Sequence, residues 1–593
     1  MKPASAHYLI GLLASALASV ASGAESHLLL GPQSAPQFIN SIVGTDTLWD
    51  SGYFGAGVVI ANVEAGHVWS GHEVFDLSGL GLPTNPVRFV NAPVTVDTPE
   101  LGEVDFHATM VGHVLVGAGI IVNPDSTVRL STLGAGMAPL ATLWSGAIAT
   151  HFDKTVAGAG SFDISADSFR VPYVDFFAGG SQGRADVINS SWGYTDGSAS
   201  ATATRIITGL AAANPSVTAV FSAGNSGAGA NKVGGPGSSF NVITVGSLGG
   251  AQQLTPSSFS SGGWSSFYDP VNEVTIPNAR AAVHVSAPGE NFALAAYLQP
   301  TGGLEPLLNE EGINNPADDL YFVFSQSGTS FASPIVAGGV GLLKNLVRSG
   351  PYALSQTEAM DTRVMRSIIM ASSIRTEGWN NAQLAGPGGA LITTQALDLV
   401  AGAGRFDVGR AAVVLVGGTA GVAGLAGGTE LAPTGWDYGA LRVGQVNDYV
   451  LDLAGVSGAR EMSVSLNWLV ADSVNAATGA VSFGSFANLD LELWSVSNSG
   501  VFVEMLGASR TTYNNTEFMR LAITPEEILG LRVRFDGVVY DFDGAQGGEV
   551  GYGLAWVMMA IPEPATATLW FGASSVLVVL IRRRRRFARE SGR

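Results

Sequence analysis

The chain has 593 residues, more than one ordinary hydrophobic core supports, so two or more domains are expected. Hydrophobic residues make up 46% and charged residues only 13%, with 77 glycines, which excludes a disordered polyelectrolyte and favours close-packed α/β or β structure. A net charge of −19 argues against nucleic acid as a partner, and the lack of cysteine excludes disulfides as staples.

Lys2, the apolar run "YLIGLLASALASVA" and the small residues Ser22 and Ala24 predict a signal peptide over 1–24. Its apolar core is short for a membrane span. Export without disulfides leaves core packing and bound ions as sources of stability. Residues 58–69, "VVIANVEAGHVW", have the β-branched density of a strand covered on both faces, with Gly66 marking the turn after it. That run ends on Glu64. A carboxylate there is either a solvated strand end or half of an interaction completed elsewhere, because burying it alone is costly.

In "EVDFHATMVGHVLVGAG", His107 opens a helix-like apolar run. His113 lies six residues on, a poor spacing for two ligands on one helical face, and the chain has no cysteine and no HExxH, so metal catalysis is disfavoured. "DVINSSWGYTDG" and "SVTAVFSAGNSG" are short buried strands that stop at Asn189-Ser190-Ser191 and Ala223-Gly224-Asn225. Strands ending in small polar loops suit ligand contact at the carboxyl edge of a parallel sheet. The insertion "LQPTGGLEPLLNEEGINNPADDLYF" is expected to be a surface loop: a lid, a calcium loop or simply solvated acids. "VFSQSGTSFASPIVAGGVGLLKNLV" sets Ser330 ahead of an apolar helix, with Pro334 expected in its first turn. Ser330 is either an N-cap or a nucleophile facing the positive end of that helix.

Taken together in the order acid, His, Asn, Ser, these blocks resemble the subtilisin-like serine peptidases, the subtilase family. "GTSFASPIVAG" is close to the family's Gly-Thr-Ser-x-Ala-x-Pro pattern. "SAGN", "VINSSWG", "VSAPG" and "GAGRFDVGRAA" match further family blocks, so the resemblance covers roughly residues 40 to 412. It implies an α/β fold, a parallel sheet flanked by helices, as a catalytic domain over 40–415. It also implies Ser330 as nucleophile, His107 as general base, and Asn225 with the Ser330 N–H as the oxyanion site. Ser191, Trp192 and Gly193 would line one side of a peptide cleft, with Ala223, Gly224 and Gly234 around the first specificity pocket. Trp192 suggests a bulky wall.

Glu64 stands where the family has aspartate, one methylene longer. The family's His-Gly-Thr is "HAT", so Ala108 adds a methyl beside the base, and His113 replaces a small residue. These departures bear on activity rather than fold. The chemistry implied needs no cofactor; calcium is compatible with the resemblance, with no ligand set assigned. Little sequence separates the predicted cleavage site from the family match, leaving no room for a propeptide of several tens of residues.

"GGTAGVAGLAGGTE" reads as part of a Gly/Ala-rich linker, 416–433. From 434 to 560, runs such as "DYVLDL", "MSVSLNWLV", "LDLELWSV" and "LRVRFDG" predict a smaller all-β sandwich. Leu489, Leu491 and Leu493 alternating with Asp490 and Glu492 predict a half-buried strand. The region resembles, more weakly, the jelly-roll domains that follow some bacterial subtilase domains. At 561–593, Pro562-Glu563-Pro564, an apolar run and Arg582 to Arg586 form a three-part tail. The arginines stay cytoplasmic. The order resembles the PEP-CTERM sorting signal of Gram-negative bacteria, implying signal peptidase and exosortase as processing partners, and a cell-envelope or extracellular protein; a plain membrane anchor is the alternative.

The expectation is therefore an exported serine endopeptidase with a Ser-His-Glu triad, acting on protein or peptide substrates. The alternative is a catalytically inactive envelope protein of the same fold that binds peptides.

Overall fold

The computed structural model describes residues 39–560 apart from 79–80, 93–103, 119, 123–127, 131–134, 154–160, 181, 296–321, 352–354, 419–430, 452, 454–455, 459, 524–527 and 545–547. The expected signal peptide, nearly all of the acidic insertion, most of the linker and the C-terminal tail lie outside the described residues.

The N-terminal part is built on one eight-stranded sheet. Its strands are β1 (Val59–Glu64), β2 (Arg88–Asn91), β3 (Thr142–Ala147), β4 (Val187–Ser190), β5 (Thr218–Ser222), β6 (Ile243–Gly249), β7 (Thr255–Pro256) and β8 (Val285–Pro288). The spatial order is β7-β6-β5-β4-β1-β3-β2, with β8 also paired to β6. Every pair is parallel except β6 with β7. The chain runs from β1 out to the edge strand β2, returns to β3 beside β1, then crosses to β4 on the other flank, so β1 stands at the reversal of strand order. In open α/β sheets ligands bind at the carboxyl edge of that point.

Period-two alternation explains why both faces are apolar. Ile60, Leu143, Val187 and Val220 point to one face, where they meet α1 (Phe106–Val116) and α4 (Thr329–Ser349). Ala61, Trp144, Ile188 and Phe221 point to the other, against α2 (Ala166–Ala178) and α3 (Thr202–Ala213). The one helix among the described residues that is long and apolar enough to cross a membrane is α4, and it is fully buried here as the core helix under the sheet.

The C-terminal part packs two sheets around their own core. A four-stranded sheet holds β9 (Gly435–Leu441), β11 (Arg460–Trp468), β14 (Thr516–Ile523) and β16 (Val550–Ala560). A six-stranded sheet holds β10 (Val446–Leu451), β12 (Ser485–Val496), β13 (Phe502–Ser509) and β15 (Ile528–Asp541), extended by Leu391–Thr393 and Leu384–Ala385. Leu391–Thr393 pairs with β13, so a strand upstream of the expected linker belongs to this sheet. Helix α5 (Thr362–Ala371) lies on β11 and β16: Ser367 Oγ donates to Gly553 O at 2.8 Å and accepts from Asn467 Nδ2 at 2.8 Å. Trp436, Ala555 and Val557 of the sandwich share a single core with Val364, Ile368 and the α4 residues Ile335 and Val340.

One expectation is corrected. The strand carrying Leu489, Leu491 and Leu493 is not half-buried, because Asp490 and Glu492 are buried too, at 6% and 1% exposure. Their face is roofed by cations: Glu492 accepts from Arg510 at 2.6 Å and from Trp494 Nε1 at 2.8 Å, and Arg510 Nε lies 3.6 Å from Asp490. Alternation of charge with leucine therefore marked a second, ion-paired interior rather than solvent.

Trp436 is fully buried at the junction and donates from Nε1 to Leu415 O at 2.8 Å. Trp436→Ala should cost about 3–5 kcal/mol. Because the core is shared, calorimetry should show one transition for both parts, lowered as a unit; separate transitions for sheet and sandwich would refute the shared core.

Candidate active site

Three strand ends and two helix starts meet at the carboxyl edge of the sheet. β1 ends on Glu64, β4 leads into Ser191, β5 leads into Asn225, α1 begins one residue before His107, and α4 begins one residue before Ser330. The backbone register of β1 against β3 and β4 fixes where the Glu64 side chain starts.

Glu64 is 1% exposed. One carboxylate oxygen, Oε2, lies 3.2 Å from His107 Nδ1, and Oε1 accepts the Ser191 N–H at 2.7 Å. Burial pushes the Glu64 carboxyl up, with the His107 and Ser191 hydrogen bonds opposing it. Burial works against the His107 imidazolium, yet the Glu64 hydrogen bond and charge, joined by the Asp105 charge, outweigh it and raise the His107 pKa. The imidazole keeps 29% of its side chain exposed, and its ring sits 6.1 Å from that of Phe331.

Asp105, which sequence reasoning passed over, caps α1. Its side chain accepts from the backbone N–H groups of His107 at 3.0 Å and Ala108 at 3.4 Å. The signal was there: an aspartate immediately before a helix start. It also explains Gly66, whose φ is not in the left-handed region; a Cβ at 66 would come within 2.8 Å of Asp105 Cβ, so close approach rather than a glycine turn demands it.

Helix α4 has Gly328 as N-cap, so Ser330 is not the cap but the second helical residue. Its N–H is one of the four that find no partner inside a helix. Pro334 falls in the second turn rather than the first. It cannot donate to Ser330 O, and that carbonyl instead accepts the Ser191 hydroxyl at 2.8 Å. The Ser330 hydroxyl donates to Ser191 O at 3.1 Å. Ser191 thus touches the carboxylate through its N–H and the serine through its hydroxyl and carbonyl.

Asn225 is fixed by its carbonyl end, which accepts from the Thr329 N–H and hydroxyl, each at 2.9 Å. A Cβ placed on Gly328 would lie 3.4 Å from Asn225 Nδ2 and 3.6 Å from the Ser330 nitrogen, so both donors border one small space in front of Gly328. That space can hold a negative oxygen.

A cavity of about 440 Å³ opens beside it. Ser191, Trp192, Gly193, Ala223, Gly224 and Gly234 all line it, together with Asn225 and Ser330. Trp192 is less of a free wall than expected: it is 8% exposed, with its ring against Phe162, Phe169 and Tyr194. Ala108 is fully buried in the core beneath α1, which absorbs its methyl. His113 is likewise buried, and its Nδ1 accepts the Ala295 N–H at 3.0 Å, so it serves the backbone away from His107. Among the described residues no three His, Asp or Glu side chains converge on a metal-sized site.

Fold and site together define a serine-peptidase architecture: a parallel sheet with a serine at a helix start, a histidine on a carboxylate and an asparagine beside the serine. The sequence profile of the subtilase family (Peptidase S8) matches residues 55–398, over half of the chain, and the chain belongs to that family. Among solved structures, the prenylagaramide maturation protease PagA is similar at 21% identity, covering 63% of this chain and 99% of that one with a TM-score of 0.38. A protease of Pseudoalteromonas arctica is similar at 18% identity, covering 63% and 94%, with a TM-score of 0.36. A serine-to-alanine mutant of the PatA protease domain is similar at 21%, covering 60% and 94%, also at 0.36. No curated protein sequence matches the chain.

Glu64→Gln removes the carboxylate charge that raises the His107 pKa and leaves only the Asp105 charge against burial, the largest influence, so the His107 pKa should fall. The acid limb of acylation at Ser330 should therefore move to lower pH than in the parent. The rate on the plateau should fall by roughly 10⁴-fold, as when a triad acid becomes an amide. Rates of fluorophosphonate acylation against pH would read both; an unmoved acid limb would separate His107 from Glu64.

Proposed function

We propose that this subtilase is an exported serine endopeptidase that cuts peptide bonds through an acyl-enzyme, with Ser330, His107 and Glu64 as its triad. The observation that carries this is the buried Glu64 carboxylate held between His107 Nδ1 and the Ser191 N–H. A carboxylate in that position fixes the tautomer with the proton on Nδ1 and leaves Nε2 free to accept one.

In the proposed cycle the Ser330 hydroxyl rotates from Ser191 O toward His107, which takes its proton as Oγ attacks the substrate carbonyl carbon. The carbonyl oxygen becomes an oxyanion between Asn225 Nδ2 and the Ser330 N–H. His107 then gives its proton to the leaving amine, and water, deprotonated by the same imidazole, releases the acid product. Backbone edges at 191–193 and 223–224 are suited to pair with an extended peptide. None of these steps calls for a cofactor. Export is supported by the predicted signal peptide over 1–24, and envelope sorting by the Pro-Glu-Pro tail at 561–593, with signal peptidase and exosortase as the processing partners.

A fluorophosphonate probe should label the protein, and Ser330→Ala should abolish both labelling and hydrolysis; a folded protein that resists labelling would leave a peptide-binding pseudoenzyme. Asn225→Ala should still be labelled but turn over peptide about 10²–10³-fold more slowly, the cost of one oxyanion donor.

A further inference from the structure

The cavity beside Ser330 carries a charge that the reaction does not use. Lys232 lines it, and among its lining residues Lys232 is the one with an ionised side chain; the others are Gly, Ala, Ser, Thr, Asn, Trp and Tyr. The setting is unusual for this chain, whose net charge is −19. Several exposed arginines elsewhere are ion-paired, Arg348 with Asp186, Arg510 with Glu492 and Arg534 with Asp536, while exposed Arg184 donates to Ser216 Oγ at 3.3 Å. The other described lysine, Lys344, is buried and donates to Asp186 O and Ser216 O. Lys232 is exposed, and its ammonium makes no hydrogen bond or ion pair among the described residues.

The segment that carries it is fixed. The Asn231 N–H donates to Trp264 O at 2.8 Å, and Asn231 Oδ1 accepts the Ser266 N–H at 2.7 Å. The lysine stem lies over Gly229, where a Cβ would come within 3.4 Å of Lys232 Cγ and 3.6 Å of Cε. A bound carbonyl with its oxygen between Asn225 and Ser330 brings the side chain of its own residue, which starts two bonds from the carbonyl carbon, within reach of the cavity those groups line. That side chain would meet one cation, several hydroxyls and amides, and no carboxylate.

We propose that this cleft selects an acidic side chain, Glu or Asp, on the acyl side of the scissile bond, with Lys232 as the specificity-determining cation. The proposal rests on the peptidase reading above. A carboxylate there gains a charge partner, and a lysine or arginine meets like charge with nothing to neutralise it.

The test is kcat/KM for the full chain on peptides that differ only at that position, Glu, Asp, Gln or Lys, with fluorophosphonate labelling of the same preparations. The Glu-to-Gln ratio compares a charge with a near-isosteric neutral group. It should be about 10 in low salt and decline as salt screens the exposed pair. Lys232→Gln should bring the ratio close to one, and Lys232→Glu should push it below one and favour Lys. A labelled enzyme whose ratio is one or less, or whose ratio ignores Lys232→Glu, overturns this proposal and leaves the peptidase standing. A folded protein that neither labels nor cleaves overturns the peptidase reading, and this one with it.

Discussion

A carboxylate buried at the end of a parallel strand is the constraint around which the rest is arranged. Glu64 has almost no solvent, so its charge survives only through partners, and an unpartnered carboxylate there would cost several kcal/mol or take up a proton. One partner is the imidazole that the carboxylate orients; the other is the Ser191 N–H, which follows the next strand of the sheet. Stability and chemistry therefore draw on the same two hydrogen bonds. The same Ser191 holds the first turn of α4 by its hydroxyl, so Glu64 and Ser330 are tied through one residue. Behind it, Asn189 donates to Ser191 Oγ at 3.2 Å and to Asn62 Oδ1 at 3.1 Å, and accepts from Ser333 Oγ at 2.8 Å. A fully satisfied buried network of this kind stiffens what it joins.

The rigidity continues into the sandwich. Helix α4 is enclosed by a core that also contains Trp436, Ala555 and Val557. Polar ties reinforce the apolar ones: Arg205 pairs with Asp472 at 2.8 Å, and Asn241 exchanges hydrogen bonds with both backbone groups of Val470. Parting the two units would break these ties and expose the shared apolar core to water, so the two move as one. The sandwich acts as a buttress for the sheet that carries the site, whatever else its outer surface does.

The parts of this arrangement that a reader of the sequence recovers are those encoded locally. β-Branched runs mark β1, β4 and β5, and the apolar, glycine-rich stretch after Ser330 marks α4, because strand and helix periods are written over a few residues. Ser330, His107 and Asn225 are legible in another way: each is ambiguous alone, and it is the resemblance of their short blocks, in order, to the subtilase pattern that singles them out. What escapes is set by packing between distant segments. Asp490 and Glu492 read as solvent-facing because nothing nearby announces that Arg510 will cover them. Pro334 reads as a first-turn proline because the helix start depends on the cap at Gly328. Lys232, in the segment that follows Asn225, is one lysine in a glycine-rich stretch until folding brings it to the cavity wall.

The departures from the family pattern at 64 and 108 have different weight once the packing is known. Ala108 directs its methyl into the core under α1, where it displaces nothing in the cleft. Glu64 is different, because its length is in use. The strand is held in register on both sides, Glu64 opposite Ala147 and Asn62 opposite Asn189, so the backbone cannot advance to meet a shorter side chain without breaking parallel pairing. An aspartate at 64 would draw the carboxylate back by roughly 1.5 Å. From there it could not keep both the 2.7 Å bond to Ser191 and the 3.2 Å contact with His107. The glutamate is thus matched to where this chain places β1, α1 and the 191 turn, and the longer acid and the spacing of those elements have to be read as one feature.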